Sequence, residues 1–143
     1  MSVVIRELKD GSDFAICMAI RMEVFVREQK VPLDDEMDDH DATSTHYIAT
    51  SDGAPAGTAR TRMGEGGVAK IERVAVLPQH RRHGIGLKLM LHIVSRLRNH
   101  PQVKQIVIHA QVVAVPFYEK LGFVAEGEIF VEAGIPHYRM VLR

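Results

Sequence analysis

The stretch that decides the fold is "VAVLPQHRRHGIGLKLM", residues 74–90. Its first residues end a strand, "VAKIERVAVL", which Pro78 stops. From Gly84 to about Asn99 the apolar spacing becomes helical: Ile85, Leu89 and Ile93 stack at i,i+4, with Met90, Val94 and Leu97 beside them. Between strand and helix lies a turn rich in Arg and Gly. The first N–H groups of a helix have no intrahelical partners, and the macrodipole adds partial positive charge there. Gly84 and Gly86 lack the side chains that would keep a phosphate from those N–H groups, while Arg81, Arg82 and His83 can add charge-assisted contacts. On these residues alone the turn reads either as an anion site or as a merely tight turn. It fits neither a nucleoside-triphosphate loop, which needs Gly-Lys-Ser/Thr, nor the Gly-x-Gly-x-x-Gly dinucleotide fingerprint.

Outward from this point, strands and helices alternate. Val3 to Leu8 reads as a first strand, and Ser12 or Asp13 can cap a helix reaching about Glu28. That helix carries an apolar stripe of Phe14, Cys17, Met18, Met22, Val24 and Phe25. Thr45 to Thr50 and Pro55 to Met63 look like two strands joined by "SDGA", and "VAKIERVAVL" is a fourth. "VKQIVIHA" is a fifth strand, and "AVPFYEKLG" a short helix with Pro116 near its start and Gly122 just past its end. Two strands close the chain, near Phe123 to Phe130 and His137 to Leu142. Antiparallel strands followed by a strand–helix–strand unit predict an α+β, or mixed α/β, fold. The 143 residues carry no repeat or linker, so a single domain over 1–143 is expected.

Composition narrows the function. Formal net charge is zero, so nothing draws the whole chain to nucleic acid or to an anionic membrane. The basic cluster at 79–88 has no interleaved aromatics, and no apolar run approaches the ~18 residues of a membrane span. The one cysteine, Cys17, sits in an apolar helical pattern and reads as a buried spectator, with no cluster for a structural metal. A cytoplasmic protein that binds no metal, nucleic acid or membrane is the expectation.

The stretch at 74–90 resembles the signature of the GNAT N-acetyltransferase superfamily, a Val-x-Val strand followed by Arg81-x-x-Gly84-x-Gly86 at a helix start. "AQVVAVPFYEKLGF", residues 110–123, is similar to that family's later motif, a short helix carrying Phe-Tyr and ending at Leu-Gly-Phe. "VFVREQKVPLDDEMDDHD", residues 24–41, resembles a bacterial GNAT subgroup of small predicted acyltransferases, and more distantly the acyl-homoserine-lactone synthases, for which this chain is too short.

The resemblance implies a largely antiparallel sheet of about seven strands, splayed between strands 4 and 5 and flanked by about four helices. It implies transfer of an acetyl group from acetyl-coenzyme A, the cosubstrate, to a primary amine, with no metal. Arg81, Arg82, His83, Gly84, Ile85 and Gly86 would hold the pyrophosphate, and the backbone of Val74, Ala75 and Val76 would pair with the pantetheine amides. Gln111 would touch the pantetheine or the acceptor, Phe117 would pack against the cofactor arm or the core, and Tyr118 would protonate the departing thiolate. Tyr118 reads otherwise as a core tyrosine.

Glu72 is expected on the same strand face as Val74 and Val76, where many relatives place a base, or else paired with Lys70 or Arg60. His109 is a second candidate base, or a polar cap on its strand. The acidic run contains Glu36 and Asp39 and reads either as a solvated loop or as a lip that attracts a cationic amine, with Glu28 and Gln29 lining the same acceptor cleft. The expected partners are acetyl-coenzyme A and an amine acceptor, with a homodimer as an option. Besides a small-molecule acetyltransferase, two readings stay open: an acyl-coenzyme A sensor or interaction domain, and a protein or peptide N-acetyltransferase.

Overall fold

Asp10, not Ser12 or Asp13, caps the first helix of the computed structural model, which describes residues 1–142. The Asp10 carboxylate accepts the backbone N–H groups of Ser12 and Asp13. Asp13 is diverted to strand β1 (Val3–Glu7), where it takes a bidentate contact from Arg6 at 2.8 and 3.0 Å. Helix α1 (Gly11–Arg21) then widens into a π-helical segment, Met22–Glu28, in which Gln29 N–H reaches back to the Val24 carbonyl. Cys17, Ile20, Val24 and Phe25 end up buried. Burial raises the pKa of the Cys17 thiol, which suits a packing role.

A one-turn helix α2 (Leu33–Glu36) leads to β2 (Thr45–Ser51), β3 (Ala54–Met63) and β4 (Val68–Val76). Helix α3 (Ile85–Arg98), β5 (Gln105–Gln111), α4 (Val115–Lys120), β6 (Val124–Glu132) and β7 (Ile135–Leu142) complete the chain. The seven strands form one sheet in the order β1-β2-β3-β4-β5-β7-β6. Only β4 and β5 run parallel. Ile85, Leu89, Met90, Ile93 and Leu97 of α3 bury against one face of this sheet, each contributing about 1.5–3 kcal/mol. Ile20, Val24 and Phe25 cover the other face beside Ala75. Among the described residues no helix is long and apolar enough to cross a membrane.

Two local features position the site. The β4–β5 pairing covers only Val68–Ile71 against Gln105–Ile108, so beyond it the two strands part and leave backbone groups of β4 unpaired on that side. A bulge lies at the point of divergence. Thr58 opposes Ala75 but Arg60 opposes Glu72, so β4 carries one more residue than β3, and Arg73 has a φ of 57°.

The extra residue reverses the alternation. Ala69 and Ile71 before the bulge, and Val74 and Val76 after it, all pack on the α3 side, while Ala75 packs with the π segment. Glu72 therefore lies on the face opposite Val74 and Val76, which corrects the expectation from simple alternation. The last hairpin is also tighter than expected: Ala133 and Gly134 have φ of 53° and 75° and form a two-residue turn that carries Glu132 and Ile135 toward the diverging strands.

Candidate functional site

Where β4 leaves β5, a cleft of about 510 Å³ opens, bounded by the π segment, the end of α4 and the β6–β7 turn. Arg81 lines this cleft, and the helix start singled out in the sequence follows it in the chain. Gly84 stands as the N-cap of α3 at a φ of 77°, in the left-handed region that glycine adopts freely, and no side chain caps the first turn. Space around Gly84 is open. The N–H groups of Ile85, Gly86 and Leu87 are thus left to an outside acceptor. Gly86 serves differently: a Cβ there would meet Val76 and Phe117 at 3.7 Å, so its absence leaves room between the end of β4 and α4. Arg82 and His83 are exposed, whereas the Ile85 side chain is buried in the core and leaves only its backbone for a ligand.

Arg81 lines the cleft but is already engaged. Its Nε donates to the Val76 carbonyl at 2.9 Å and its two Nη atoms reach Glu28 at 2.6 Å each. That pairing lowers the Glu28 pKa and raises that of Arg81. Glu28, expected among the acceptor-lining residues, is instead bound to Arg81 of the turn before α3 and is not part of the cleft lining. Gln29, next in the chain, accepts a hydrogen bond from Gln111 Nε2 at 2.8 Å and bridges the cleft at the end of β5.

Tyr118 lines the interior of the cleft and is 7 % exposed. Its ring meets Phe117 and Phe123 edge to face, with centroids 5.1 and 6.0 Å away, which fixes its direction. Among the described residues its hydroxyl has no hydrogen-bond partner. Burial pushes the phenol's pKa up, so it is a protonated donor at neutral pH.

His109 and Gln111 project from the β5 face opposite Ile108 and Ala110, which pack on the α3 side. His109 Nδ1 lies 2.9 Å from Glu132 Oε2, and its ring stands edge-on to Phe130 at 5.0 Å.

Glu72 borders the same cleft, but its carboxylate is held by Arg62 at 2.7 Å, Arg60 at 3.1 Å and Lys70 at 3.2 Å. Burial opposes its charged form, yet the hydrogen bond from Arg62 and the nearby cations outweigh burial and hold its pKa at about 2. So stabilised an anion takes up a proton poorly, and this corrects the expectation of Glu72 as a base.

The acidic run is not an open charged lip. Glu36, 2 % exposed, accepts from Arg21 Nε at 2.7 Å and neighbours Arg73. Asp38 and Asp41 take the Arg60 guanidinium, and Asp41 also takes Arg21. These arginines come from α1, β3 and β4, so the run is neutralised from below. The Asp39 side chain is 97 % exposed and stands outside the cleft. Glu36 does line the cleft, but its carboxylate is committed to Arg21 and Arg73, and Asp39 lies outside the cleft, so the run does not form the open lip that was expected. Asp35 does reach the cleft rim. No group of three or more His, Cys, Asp or Glu side chains able to hold a metal occurs among the described residues. Sequence reasoning missed Glu132, and nothing in its neighbourhood marks a carboxylate that folds back over a strand 23 positions away.

Similarity to known proteins agrees with this geometry. The family model for the acetyltransferase (GNAT) domain matches residues 8–143. The uncharacterized N-acetyltransferase YjcF of Bacillus subtilis is 37% identical over 123 residues, covering 85% of this chain and 86% of its own. The crystal structure of Escherichia coli ElaA superposes with a TM-score of 0.89 at 25% identity, covering 99% of this chain and 100% of the other. An acyl-CoA N-acyltransferase from Pseudomonas aeruginosa gives 0.87 at 26% identity, with 99% of each chain covered.

Proposed function

Because the chain belongs to the GNAT family of acyl-CoA-dependent acetyltransferases, we propose that it passes the acetyl group of acetyl-coenzyme A directly to a primary amine of a small molecule, with Tyr118 as general acid. The observation that carries this reading is the buried, unpartnered Tyr118 hydroxyl inside the cleft between diverging strands. The residues present fit the cosubstrate. The uncapped start of α3 offers N–H donors to its phosphates, and the β4 edge beyond Ile71 offers backbone groups to its amides. Acetyl-coenzyme A supplies an activated thioester. The chain's part is to orient that thioester, exclude water and provide a proton where the sulfur departs. A cleft of about 510 Å³, bridged by Gln29 and Gln111, suits a small acceptor better than an extended peptide.

Two measurements bear on this. Release of free coenzyme A with a panel of small primary amines and peptides tests the activity and the acceptor class; a panel in which only peptides are acetylated would replace the small-molecule reading. Calorimetry tests the site: Gly84→Asp, which sets a carboxylate among the phosphate donors, should weaken acetyl-coenzyme A binding at least tenfold, or ~1.4 kcal/mol. Wild-type affinity should itself fall with added salt. Unchanged affinity in the folded Gly84→Asp protein would remove the phosphate assignment.

The Arg81–Glu28 pair adds a smaller expectation. Glu28 competes with phosphate for one guanidinium, and a partly exposed ion pair is worth ~0.2–1 kcal/mol. Glu28→Gln should tighten acetyl-coenzyme A binding up to about fivefold. Weaker binding in Glu28→Gln would show that Glu28 holds Arg81 in place for the ligand instead of competing for it.

A further inference from the structure

We propose that Glu132 is a positioning residue that fixes His109 in its Nδ1-protonated tautomer, so that Nε2 faces the acceptor amine as the general base. The inference rests on the acyl-transfer reading above and adds to it the residue that prepares the base. Three observations carry it.

The first is contact. Glu132 Oε2 lies 2.9 Å from His109 Nδ1, and a carboxylate can only accept there, so Nδ1 must carry the proton and Nε2 its lone pair. No other partner of the His109 ring nitrogens occurs among the described residues. The second is restraint. The ring is held edge-on by Phe130, which stacks on His137 with centroids 5.8 Å apart and planes 21° from parallel. His137 is buried, its Nδ1 2.6 Å from the Ile135 carbonyl. His109 thus cannot swing freely from the cleft it shares with Tyr118. The third is elimination: the only other carboxylate offered as a base, Glu72, is committed to Arg60, Arg62 and Lys70.

The surrounding charge gives Glu132 a second task. β4 presents Lys70, Glu72 and Arg73 to the cleft, β7 presents His137 there, and α2 contributes Asp35 and Glu36. Arg139 of β7 stands opposite His109 in register and reaches Glu126 of β6 at 3.5 Å. An imidazolium formed beside Lys70 and Arg139 would be repelled, and the Glu132 carboxylate offsets that repulsion. The proton accounting closes. As the amine nitrogen bonds to the acyl carbon and the carbon–sulfur bond breaks, Nε2 accepts a proton from that nitrogen. Tyr118 gives its proton to the sulfur, and transfer through water from the His109 imidazolium to the Tyr118 phenolate restores both groups.

The test is ring-nitrogen NMR of ¹⁵N-histidine-labelled protein without ligand, at a pH where imidazole is neutral, together with steady-state kinetics. His109→Ala identifies the resonances. Wild type should show the Nδ1–H tautomer at His109. Glu132→Ala should shift it toward Nε2–H and cut kcat at least tenfold with the acetyl-coenzyme A KM within about threefold, while Glu132→Gln, whose amide oxygen still accepts from Nδ1–H but which lacks the charge, should keep the tautomer and fall between Glu132→Ala and wild type in turnover. In a His109→Ala background, Glu132→Ala should cost nothing further, because a positioning residue acts through the group it positions. An Nε2–H tautomer in wild type, unchanged turnover in Glu132→Ala, or an undiminished Glu132 effect without His109 would each overturn the proposal. The tautomer is read with no acyl donor present. A correct tautomer with no amine acetylation by wild type would therefore locate the failure in the acyl-transfer reading, and the base role would fall with it.

Discussion

Tyr118→Phe is expected to lower kcat at least tenfold while leaving the acetyl-coenzyme A dissociation constant within about threefold. The two numbers separate because they draw on different states. General acid catalysis contributes about 10²–10⁴-fold, and it acts only as the thiolate leaves. A single hydrogen bond lost in the ground state costs ~1 kcal/mol. The structure sharpens the expectation on stability as well. The Tyr118 hydroxyl supports no other group, and its ring packs between Phe117 and Phe123 by edges that phenylalanine keeps. The variant should therefore unfold at the wild-type temperature or slightly above it, which excludes misfolding as the cause of lost turnover. Burial already holds the phenol's pKa above its ordinary range, so alkaline loss of the Tyr118 proton should not appear in the rate profile up to about pH 9. Full turnover in Tyr118→Phe would make water or the amine the proton source and return Tyr118 to packing.

The elements with a regular apolar period were readable from composition and spacing. Ile85, Leu89 and Ile93 lie where the i,i+4 pattern puts them, and α3 starts and stops within a residue of the expected bounds. The features that escaped reading are those where one residue breaks a period or where partners meet only in three dimensions. A single extra residue in β4 reverses every side chain beyond it, and an arginine at positive φ carries no residue-type signal for such a bulge. That is why Glu72 was expected on the wrong face. Asp10, Ser12 and Asp13 offer three side chains for one cap, and the winner depends on Arg6 from β1 drawing Asp13 aside. The acidic run looks unpaired in sequence because its arginines arrive from three separate elements. The site motif was legible for the opposite reason: a helix start, its glycine and the arginine before it are close in the chain, and so is their shared geometry.

Arg60→Met should destabilise the protein by about 3–5 kcal/mol at neutral pH, because one buried guanidinium holds three carboxylates. Arg60 is 1 % exposed and donates to Asp38 at 2.6 and 2.8 Å, to Asp41 at 2.8 Å and to Glu72 at 3.2 Å. Methionine fills much of the same space but leaves Asp38 without its main partner, and Asp41 and Glu72 each without one of theirs. In a chain of this size the loss corresponds to a melting temperature lower by about 10–17 °C. Acid should reveal the same contacts from the other side. The hydrogen bond from Arg60 draws the Asp38 pKa down; for Asp41 and Glu72 burial pulls upward, but the arginine contacts win and both end low. Carboxylates whose folded pKa is depressed add stability that is full above their ordinary range of ~4 and is lost as pH falls toward the folded values. Wild-type stability should therefore drop between about pH 5 and pH 2, whereas Arg60→Met, with less depression to lose, should show a shallower drop and approach wild type at acid pH. Arg60→Lys, which keeps the charge but not the two-pronged fork, should fall between them at neutral pH. Denaturant melts at several pH values decide the matter. Parallel wild-type and Arg60→Met curves separated by less than about 0.5 kcal/mol throughout would mean that Arg21 and Arg73 suffice to hold residues 33–41 in place, and that Arg60 adds nothing to that hold.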